Sequence, residues 1–137
     1  MTSAMTGGCL CGAIRYEAGG EPTFSLRCHC RDCQRQSGSG YIAAMRLPAA
    51  RFRITKGAPK RWLGRADSGN DITRVFCGEC GAPIYSITPG PSPSVYGLRA
   101  GGIDQPAQFA LPKRQIWCCS ALLWSMDLRK VEKSERQ

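Results

Sequence analysis

The sequence lacks several features that define common classes of protein. It has one histidine, His29, which leaves little room for a Ser-His-Asp hydrolase. No apolar run approaches the roughly 18 residues that a membrane-spanning helix requires. The N-terminal segment MTSAMTGGCL has neither the basic region nor the apolar region of a secretory signal. The glycine-rich phosphate loop and the dinucleotide-binding fingerprint are also absent.

Cysteine is abundant, with nine residues in the chain. In the absence of a signal peptide this number indicates a reducing compartment, for which we expect the cytoplasm, where thiolates bind metal rather than form disulfides. The count is odd, which a closed disulfide framework does not explain. No H-x-E motif accompanies the cysteines, which argues against a zinc nucleobase deaminase. The cysteines therefore favour a metal-binding protein.

The chain is basic, with a formal net charge of +9 at pH 7. Such a charge ordinarily suggests nucleic acid or another polyanion as the partner. If seven cysteines are thiolates on two Zn²⁺ ions, however, about three of these positive charges are offset. The remaining charge suits an anionic small substrate. The basic residues are also scattered, without the dense stripe and interleaved aromatic residues of a nucleic-acid surface.

The sequence predicts one domain of mainly β structure. Its 137 residues suit a single domain with a modest core. Short segments with β-branched or aromatic residues, bounded by Gly, Pro, Asp or Asn, are typical of strands. The predicted strands are 13–18, 23–28, 41–47, 51–57, 71–77, 83–88, 94–101 and 114–120. Residues 30–37 predict one or two helical turns before Gly38, and 88–94 predict an exposed loop.

The predicted domain has two flanking segments. We expect residues 1–6 to be a flexible N-terminus and residues 7–127 to form the zinc domain. Residues 128–137, LRKVEKSERQ, mix charges with little apolar content, which predicts a frayed tail or a surface helix.

Seven of the cysteines fall into three groups. The groups are C-x-C at Cys9 and Cys11, C-x-C-x-x-C at Cys28, Cys30 and Cys33, and C-x-x-C at Cys77 and Cys80. The last group has the form of a zinc knuckle, in which a tight turn directs both sulfurs at one ion and the glycine that follows relieves backbone strain.

Seven ligands divide most simply into four and three. We call Cys9, Cys11, Cys77 and Cys80 the four-cysteine cluster, and Cys28, Cys30 and Cys33 the three-cysteine cluster. The first would hold a closed structural Zn²⁺, and closing so long a loop is worth about 4 kcal/mol by analogy with crosslinks. The second would hold a catalytic Zn²⁺ with one open position. A rival partition joins the first C-x-C to Cys30 and Cys33, and leaves Cys28 apart.

The three-cysteine cluster favours a particular chemistry. Three thiolates on Zn²⁺ give a net charge of −1, so this ion is a poorer Lewis acid than one held by histidines. It is better suited to binding an incoming thiol, whose pKa the metal lowers. The site therefore predicts a thiol substrate rather than zinc hydrolysis.

The ordered motifs GGCLCGAIRY, CHCRDCQRQSGSGY, FCGECGAPIY, RAGGID and QIW resemble the glutathione-dependent formaldehyde-activating enzyme family, which includes centromere-protein-V-like proteins. The resemblance covers about residues 7 to 125. It implies a fold of twisted antiparallel sheets, described as a β-tent, with a structural Zn(Cys)₄ site and a Zn(Cys)₃ site associated with glutathione. The four-cysteine cluster matches the structural ligands and the three-cysteine cluster matches the catalytic ones.

The resemblance also implies an activity. Members condense glutathione with formaldehyde to S-(hydroxymethyl)glutathione and are classed as carbon–sulfur lyases. We therefore expect a lyase of this type that acts on glutathione and on formaldehyde or a related small aldehyde, with no membrane partner. The chain departs from the family at Gln115, where a histidine is common, at Leu123–Trp124 in place of Pro-Trp, and at the ending MDLRKVE. These departures leave the thiol and the aldehyde open.

Several residues near the three-cysteine cluster have two interpretations each. Arg31 and Arg35 could hold the two carboxylates of glutathione, or be solvated. Ser39, within Ser37-Gly38-Ser39, could offer a backbone N–H to the substrate, or the segment could simply end a helix. His29 alternates with ligand cysteines, so we expect it to point away from them and to be a packing or hydrogen-bonding neighbour rather than a contact of substrate or metal.

The remaining cysteines and the tryptophans are interpreted as structural. Cys118 and Cys119 lie on a predicted strand and should face opposite sides, one of them buried, although either could supply a fourth ligand. We expect Trp62, Trp117 and Trp124 in the core rather than in a pocket.

Two other functions compete with the lyase. A zinc-stabilised module could bind nucleic acid or a protein partner without catalysis, which the net charge favours. A redox or zinc-storage role for the three-cysteine cluster is the third hypothesis. Salt-sensitive DNA binding would support the module, whereas zinc-linked thiol binding would support the enzyme.

Overall fold

The structure is a computed structural model that describes residues 4–19, 24–88, 95–109 and 111–137. This part of the chain contains ten strands and two short α-helices. The strands are β1 (Met5–Gly8), β2 (Arg15–Ala18), β3 (Phe24–Cys28), β4 (Ile42–Pro48), β5 (Phe52–Lys56), β6 (Lys60–Arg65), β7 (Asp71–Phe76), β8 (Pro83–Thr88), β9 (Val95–Arg99) and β10 (Arg114–Ile116). The helices are α1 (Arg31–Ser37) and α2 (Leu123–Met126).

The strands form two open sheets. The smaller has the order β1-β2-β5, and the larger has the order β10-β3-β4-β9-β8-β7-β6. All pairings are antiparallel except that of β10 with β3, which is parallel. The mainly β, single-domain prediction is confirmed. The parallel pair departs from the expected antiparallel sheets and places Ile116 beside Cys28.

The main core contains residues from both sheets. Its buried side chains are Met5, Ile14, Tyr16, Ala18, Met45, Leu47, Val75, Cys77, Ile84, Tyr85, Leu98 and Ile103. The rings of Tyr16, Phe52, Tyr85 and Tyr96 pack in a chain, with centroids 4.6 to 5.5 Å apart. Burial of apolar side chains at about 25 cal/mol per Å² is what holds the two sheets together.

A second, smaller apolar cluster surrounds three of the cysteines. It consists of Leu26, Cys28, Cys30, Cys33 and Ile42, with Phe24 and Ile116 packed against it. The seven-stranded sheet therefore carries a buried sulfur cluster away from the main core.

Most of the predicted strands are confirmed: β8 has the predicted bounds, β4 is shifted by one residue, and the others are shorter by one or more residues. Two strands were not predicted. β1, MTGG, begins at Met5, so residues 5 and 6 belong to the fold rather than to a flexible N-terminus, because Met5 is buried in the main core. β6, KRWLGR, is almost wholly exposed at a sheet edge and shows no apolar alternation. The predicted loop at 88–94 lies outside the described residues beyond Thr88.

The predicted strand 114–120 is wrong beyond Ile116. Trp117 has φ 56°, in the left-handed region, and Cys118–Ser120 form a 3-10 turn. Both cysteines are exposed, so the prediction that one is buried on a strand is also wrong. A left-handed residue ends the strand because it turns the chain out of the ladder.

The tryptophans do not lie in the core as predicted. Trp62 and Trp124 are each 56% exposed and Trp117 is 39% exposed. Residues 128–137 are exposed and form neither strand nor helix, so the surface-helix interpretation of this segment is wrong. Among the described residues, no helix has the length and apolar character needed to cross a membrane.

Candidate metal centres and substrate cavity

The sulfurs of the four-cysteine cluster converge at one point. All four Sγ atoms lie within 4.8 Å of one another. The Cys9–Cys11 and Cys11–Cys77 separations are 3.6 and 3.8 Å. Zn–S bonds of about 2.3 Å in a tetrahedron place sulfurs about 3.8 Å apart, so the cluster fits one zinc ion.

Tight turns position these sulfurs. The backbone N–H of Ile14 donates to Sγ of Cys9 over 3.2 Å. In the knuckle, the N–H of Gly81 donates to the carbonyl of Cys77 over 2.9 Å, and Gly81 has φ 76°. This left-handed conformation is the one that the sequence predicts for the glycine after the second cysteine. The backbone N–H of Ala82 lowers the pKa of Cys80 to about 6, which favours the thiolate that a metal requires.

The three-cysteine cluster is buried and compact. Cys28 ends β3, Cys30 is the N-cap of α1 and Cys33 lies in its first turn, and their Sγ atoms are within 4.8 Å of one another. The N–H of Cys33 donates to Sγ of Cys30 over 3.3 Å. Three buried soft sulfurs suit Zn²⁺ and leave one of its four positions for another ligand. The structure therefore brings the seven cysteines together as the four-plus-three partition predicts.

Coupling among the three thiols concentrates negative charge on one sulfur. Hydrogen bonds from the Cys28 and Cys33 side chains lower the pKa of Cys30 to about 2. The same contacts, first with Cys28 and then with Cys30, raise the pKa of Cys33. Cys30 is therefore the sulfur of this cluster that most readily becomes the thiolate that a metal requires.

Gln34 ties this cluster to the chain that follows β10. Its Nε2 donates to the carbonyl of His29 over 2.8 Å and to the carbonyl of Ser120 over 3.0 Å. The helix then ends at Gly38, whose φ is 68° and whose N–H donates to the carbonyl of Gln34. The segment at Ser37–Gly38 therefore ends a helix, which is the second of the two interpretations given for it in the sequence analysis.

His29 is fully buried and belongs to neither sulfur cluster. Its Nε2 lies 2.9 Å from Oε1 of Gln115, and its ring packs 5.8 Å from that of Tyr41. Its backbone N–H donates to the carbonyl of Ile116 over 3.0 Å. The prediction of a packing and hydrogen-bonding neighbour is confirmed.

A cavity of about 150 Å³ adjoins the three-cysteine cluster and is lined by all three cysteines. Its other walls carry apolar side chains, hydroxyl groups and cations. They include Leu26, Ile42, Ile116, Trp117, Ser68, Ser86, Thr88, Arg46, Arg74 and Arg99. None of the described residues that line it is acidic.

Two of these arginines are buried. Arg99 is 6% exposed, and its guanidinium donates to the carbonyl of Gly97 over 3.0 Å and to Oγ of Ser86 over 3.3 Å. Burial lowers the pKa of Arg99 to about 10, so it stays charged at neutral pH. Arg74 is 7% exposed, with Nη2 3.8 Å from Oδ2 of Asp32.

A larger cavity of about 450 Å³ lies nearby but is lined by none of the three cysteines. It shares Ile42 and Arg99 with the smaller cavity and reaches Cys9 of the other cluster. The smaller cavity is the better candidate for the substrate site because it contains the sulfurs.

The residues predicted to contact glutathione lie outside the smaller cavity. Arg31 is exposed on α1 and donates to the side chain of Gln34. Arg35 lines a separate cavity of about 290 Å³ together with Trp62 and Arg74. Ser39 is exposed, and its N–H donates to Oγ of Ser37 over 3.1 Å.

The sequence interpretation missed Arg74 and Arg99. Both lie on strands, within DITRVF and VYGLR, where a charged residue among apolar ones points to a buried functional group. Trp117 was assigned to the core, although it lines the cavity. The sequence shows that these two arginines lie within strands, but it does not show which residues they contact.

Fold and site together define a mainly β protein with two candidate cysteine metal centres. The family model described as glutathione-dependent formaldehyde-activating enzyme matches residues 4–120. This match spans most of the chain, and the protein belongs to that family. The fold is also similar to the crystal structure of a Rhodobacter sphaeroides protein solved as a structural genomics target, with a TM-score of 0.60 and 22% identity over 81% of this chain and 99% of that one.

Proposed function

We propose that the protein is a zinc-dependent carbon–sulfur lyase that condenses glutathione with formaldehyde or a related small aldehyde. Membership of the family suggests glutathione-dependent formaldehyde activation. The observation that carries the proposal is the buried three-cysteine cluster, whose sulfurs open into a cavity. The formal net charge of +9 also favours a substrate with carboxylates.

The two sulfur clusters would have different roles. The four-cysteine cluster would hold a structural zinc, because its four ligands complete a tetrahedron. The three-cysteine cluster would hold the second. A zinc ion on three thiolates would lower the pKa of a thiol that enters the fourth position and keep it nucleophilic.

The condensation is balanced without an oxidant or a reductant. The thiol sulfur forms a bond to the carbonyl carbon, and the π pair of the C=O bond moves to the oxygen. That oxygen takes up the proton that the thiol has lost, which gives a hydroxymethyl thioether. The reverse reaction breaks the same C–S bond, as a lyase does.

The cavity walls supply the surroundings for this chemistry. Leu26, Ile42 and Ile116 exclude water from one side, which strengthens electrostatic interactions within. The hydroxyl groups of Ser68 and Thr88 line the same space and are donors within the cavity for a carbonyl oxygen on which charge develops. We assign them this role as part of the proposal.

Glutathione is larger than the sulfur-lined cavity and would extend beyond it. Arg74 lines both this cavity and the one beside Arg35, so the part of glutathione that extends beyond the first cavity would lie near the second. Contacts of Arg31, Arg35 and Ser39 with glutathione remain predictions on this view.

The test is ¹¹³Cd NMR of the cadmium-substituted protein before and after glutathione is added. We expect two resonances, one in the all-sulfur range and one of three sulfurs with a light atom, and glutathione should move only the second toward the all-sulfur range. Addition of ¹³C-formaldehyde should then produce the hydroxymethyl thioether faster than in protein-free buffer. If glutathione leaves both resonances unchanged, the proposed function is wrong.

A non-catalytic binding module is the second candidate, and one observation favours it. The edge strand β6 exposes Lys60 and the ring of Trp62 on one face, and Arg61 and Arg65 on the opposite face. Basic groups beside an exposed aromatic ring are typical of single-stranded nucleic-acid surfaces. Quenching of tryptophan fluorescence by an oligonucleotide, lost in Trp62→Ala and weakened by salt, would support this function.

A further inference from the structure

Two buried cations line the sulfur-lined cavity besides its three cysteines. Arg74 and Arg99 line it with less than a tenth of each residue exposed, and Arg46 lines it from an exposed position. The described lining residues include no aspartate or glutamate. Buried charges are normally paired, because an unpaired ion loses its hydration without compensation.

Arg99 has only neutral hydrogen-bond partners among the described residues. These are the carbonyl of Gly97, Oγ of Ser86 and, at 3.5 Å, Oε1 of Gln36. Its buried Nε–H has no partner in the described part of the chain. A guanidinium can offer two parallel N–H groups to one carboxylate, so an acceptor for this edge is missing.

Arg74 adds a second cation to the same wall. Its nearest carboxylate is that of Asp32, and 3.8 Å between Nη2 and Oδ2 is longer than a hydrogen bond. Arg74 is the cross-strand neighbour of Ser86, the residue to whose Oγ the Arg99 guanidinium donates, so the two cations lie on the same wall of the cavity. A shared anion would relieve the repulsion between them.

We propose that Arg99, together with Arg74, binds a carboxylate of the thiol substrate, so that the site selects thiols that carry an acid group. The inference rests on the proposed function, because it assumes that a thiol enters the same cavity. The arginines are specificity residues, and the three sulfurs remain the reactive centre. A guanidinium that only offset the charge of the sulfurs would be indifferent to an acid group on the thiol.

The experiment compares three small probes with the zinc-loaded protein in ¹H–¹⁵N NMR titrations. The probes are 3-mercaptopropionate, its neutral amide, and 3-(methylthio)propionate, which keeps the acid but has no free thiol. We expect the acid thiol to bind at least about tenfold more tightly than the amide, the effect of one charge-assisted hydrogen bond.

Variants assign this difference to named residues. In Arg99→Met the preference for the acid should disappear, and in Arg74→Met it should fall. Arg99→Lys keeps the charge but loses the paired N–H groups, so it should keep part of the preference. Arg53→Met is the matched control, because Arg53 is exposed on β5 and pairs with Glu17. It should keep the full preference.

The outcomes separate this inference from the proposed function. Equal affinities for acid and amide thiols in the wild-type protein would overturn the inference, even if Arg99→Met does not fold. An acid preference that persists in both Met variants would also overturn it. If glutathione and both mercapto probes leave the ¹¹³Cd signals unchanged while 3-(methylthio)propionate binds in an Arg99-dependent way, the proposed function fails and the carboxylate site stands.

Discussion

Nε2 of His29 and Oε1 of Gln115 lie 2.9 Å apart, and this bond joins the loop of the three-cysteine cluster to β10. His29 is fully buried between two of the cysteines, so the bond fixes the segment that carries them. The family often has a histidine where this chain has Gln115. The glutamine supplies an acceptor for a buried imidazole N–H, which a leucine could not.

We therefore predict that Gln115→Leu destabilises the protein. The substitution leaves a buried histidine nitrogen without its partner, which costs about 1–3 kcal/mol in the free energy of unfolding. Urea denaturation of the zinc-loaded protein measures the loss. Gln105→Leu is the control, because Gln105 is exposed and should change stability by less than about 0.5 kcal/mol. Equal effects of the two substitutions would contradict the structural role of the bond.

The grouping of sulfurs within each short motif was predictable from sequence because that information is local. Spacings such as C-x-x-C fix two sulfurs on one turn, and tetrahedral zinc then limits how seven sulfurs can be divided. His29 and the helix that ends at Gly38 followed from the same short segment. Here short-range geometry and metal chemistry lead to the same arrangement.

The cavity was not predictable in the same way. Arg74 and Arg99 come from β7 and β9, and only the strand order places them beside Cys28 and Cys30. Trp117 has a left-handed backbone conformation, whereas the propensity of tryptophan favours an extended strand. These features depend on long-range pairing, which a single sequence does not encode in its local pattern.

Cys30→Ser and Cys80→Ser should have different effects. Cys80→Ser removes one ligand of a closed four-sulfur site, so we expect the domain to lose most of its stability and to unfold near room temperature. Cys30→Ser leaves the other cluster complete, and serine is a good N-cap for α1 in place of the sulfur. That variant should stay folded but fail to bind glutathione.

Circular dichroism, zinc content and the ¹¹³Cd response to glutathione together measure this difference. Cys119→Ser serves as a control, since the cysteine is exposed and lies outside both clusters. Equal loss of structure in Cys30→Ser and Cys80→Ser would contradict the division into a structural and a reactive cluster.

Alanine substitutions at two left-handed glycines should differ in cost. Gly38 has φ 68°, and a Cβ there would meet no atom within 4 Å, so Gly38→Ala should cost only about 1 kcal/mol of backbone strain. Gly57 has φ 80°, and a Cβ would lie 2.2 Å from the carbonyl oxygen of Ala13. Gly57→Ala should therefore cost a further ~1–3 kcal/mol, because backbone must move. Urea midpoints at constant slope give both values, and a larger loss at Gly38 would contradict the geometry.

The ion pair between Arg15 and Asp104 should make stability depend on pH. Hydrogen bonds from Arg15 and then from Thr6 lower the pKa of Asp104 below 3.8. A depressed folded pKa contributes stability that is present above the unfolded pKa and is lost as the pH falls through the folded pKa. Both side chains are about one-third exposed, at 37% and 33%, so the contribution is below about 1 kcal/mol.

Asp104→Asn tests this dependence. The difference in unfolding free energy between wild type and variant should be constant from pH 7 to pH 5 and should shrink toward pH 3. Protonation of the cysteines at low pH affects both proteins equally, because both have the same clusters, so it does not change the difference in unfolding free energy. A difference that grows on acidification would have the wrong sign for this ion pair.

Alkylation should distinguish the seven clustered cysteines from the two others. In the zinc-loaded protein we expect iodoacetamide to modify only Cys118 and Cys119, because both are exposed and neither belongs to a cluster. Cys11 is also exposed, so its protection depends on metal coordination rather than on burial. Intact mass spectrometry should show two additions in the wild-type protein and none in the double variant Cys118→Ser, Cys119→Ser. Treatment with a chelator should raise the number in both proteins, whereas rapid modification of Cys11 in the zinc-loaded protein would show that the four-cysteine cluster does not hold a stable ion.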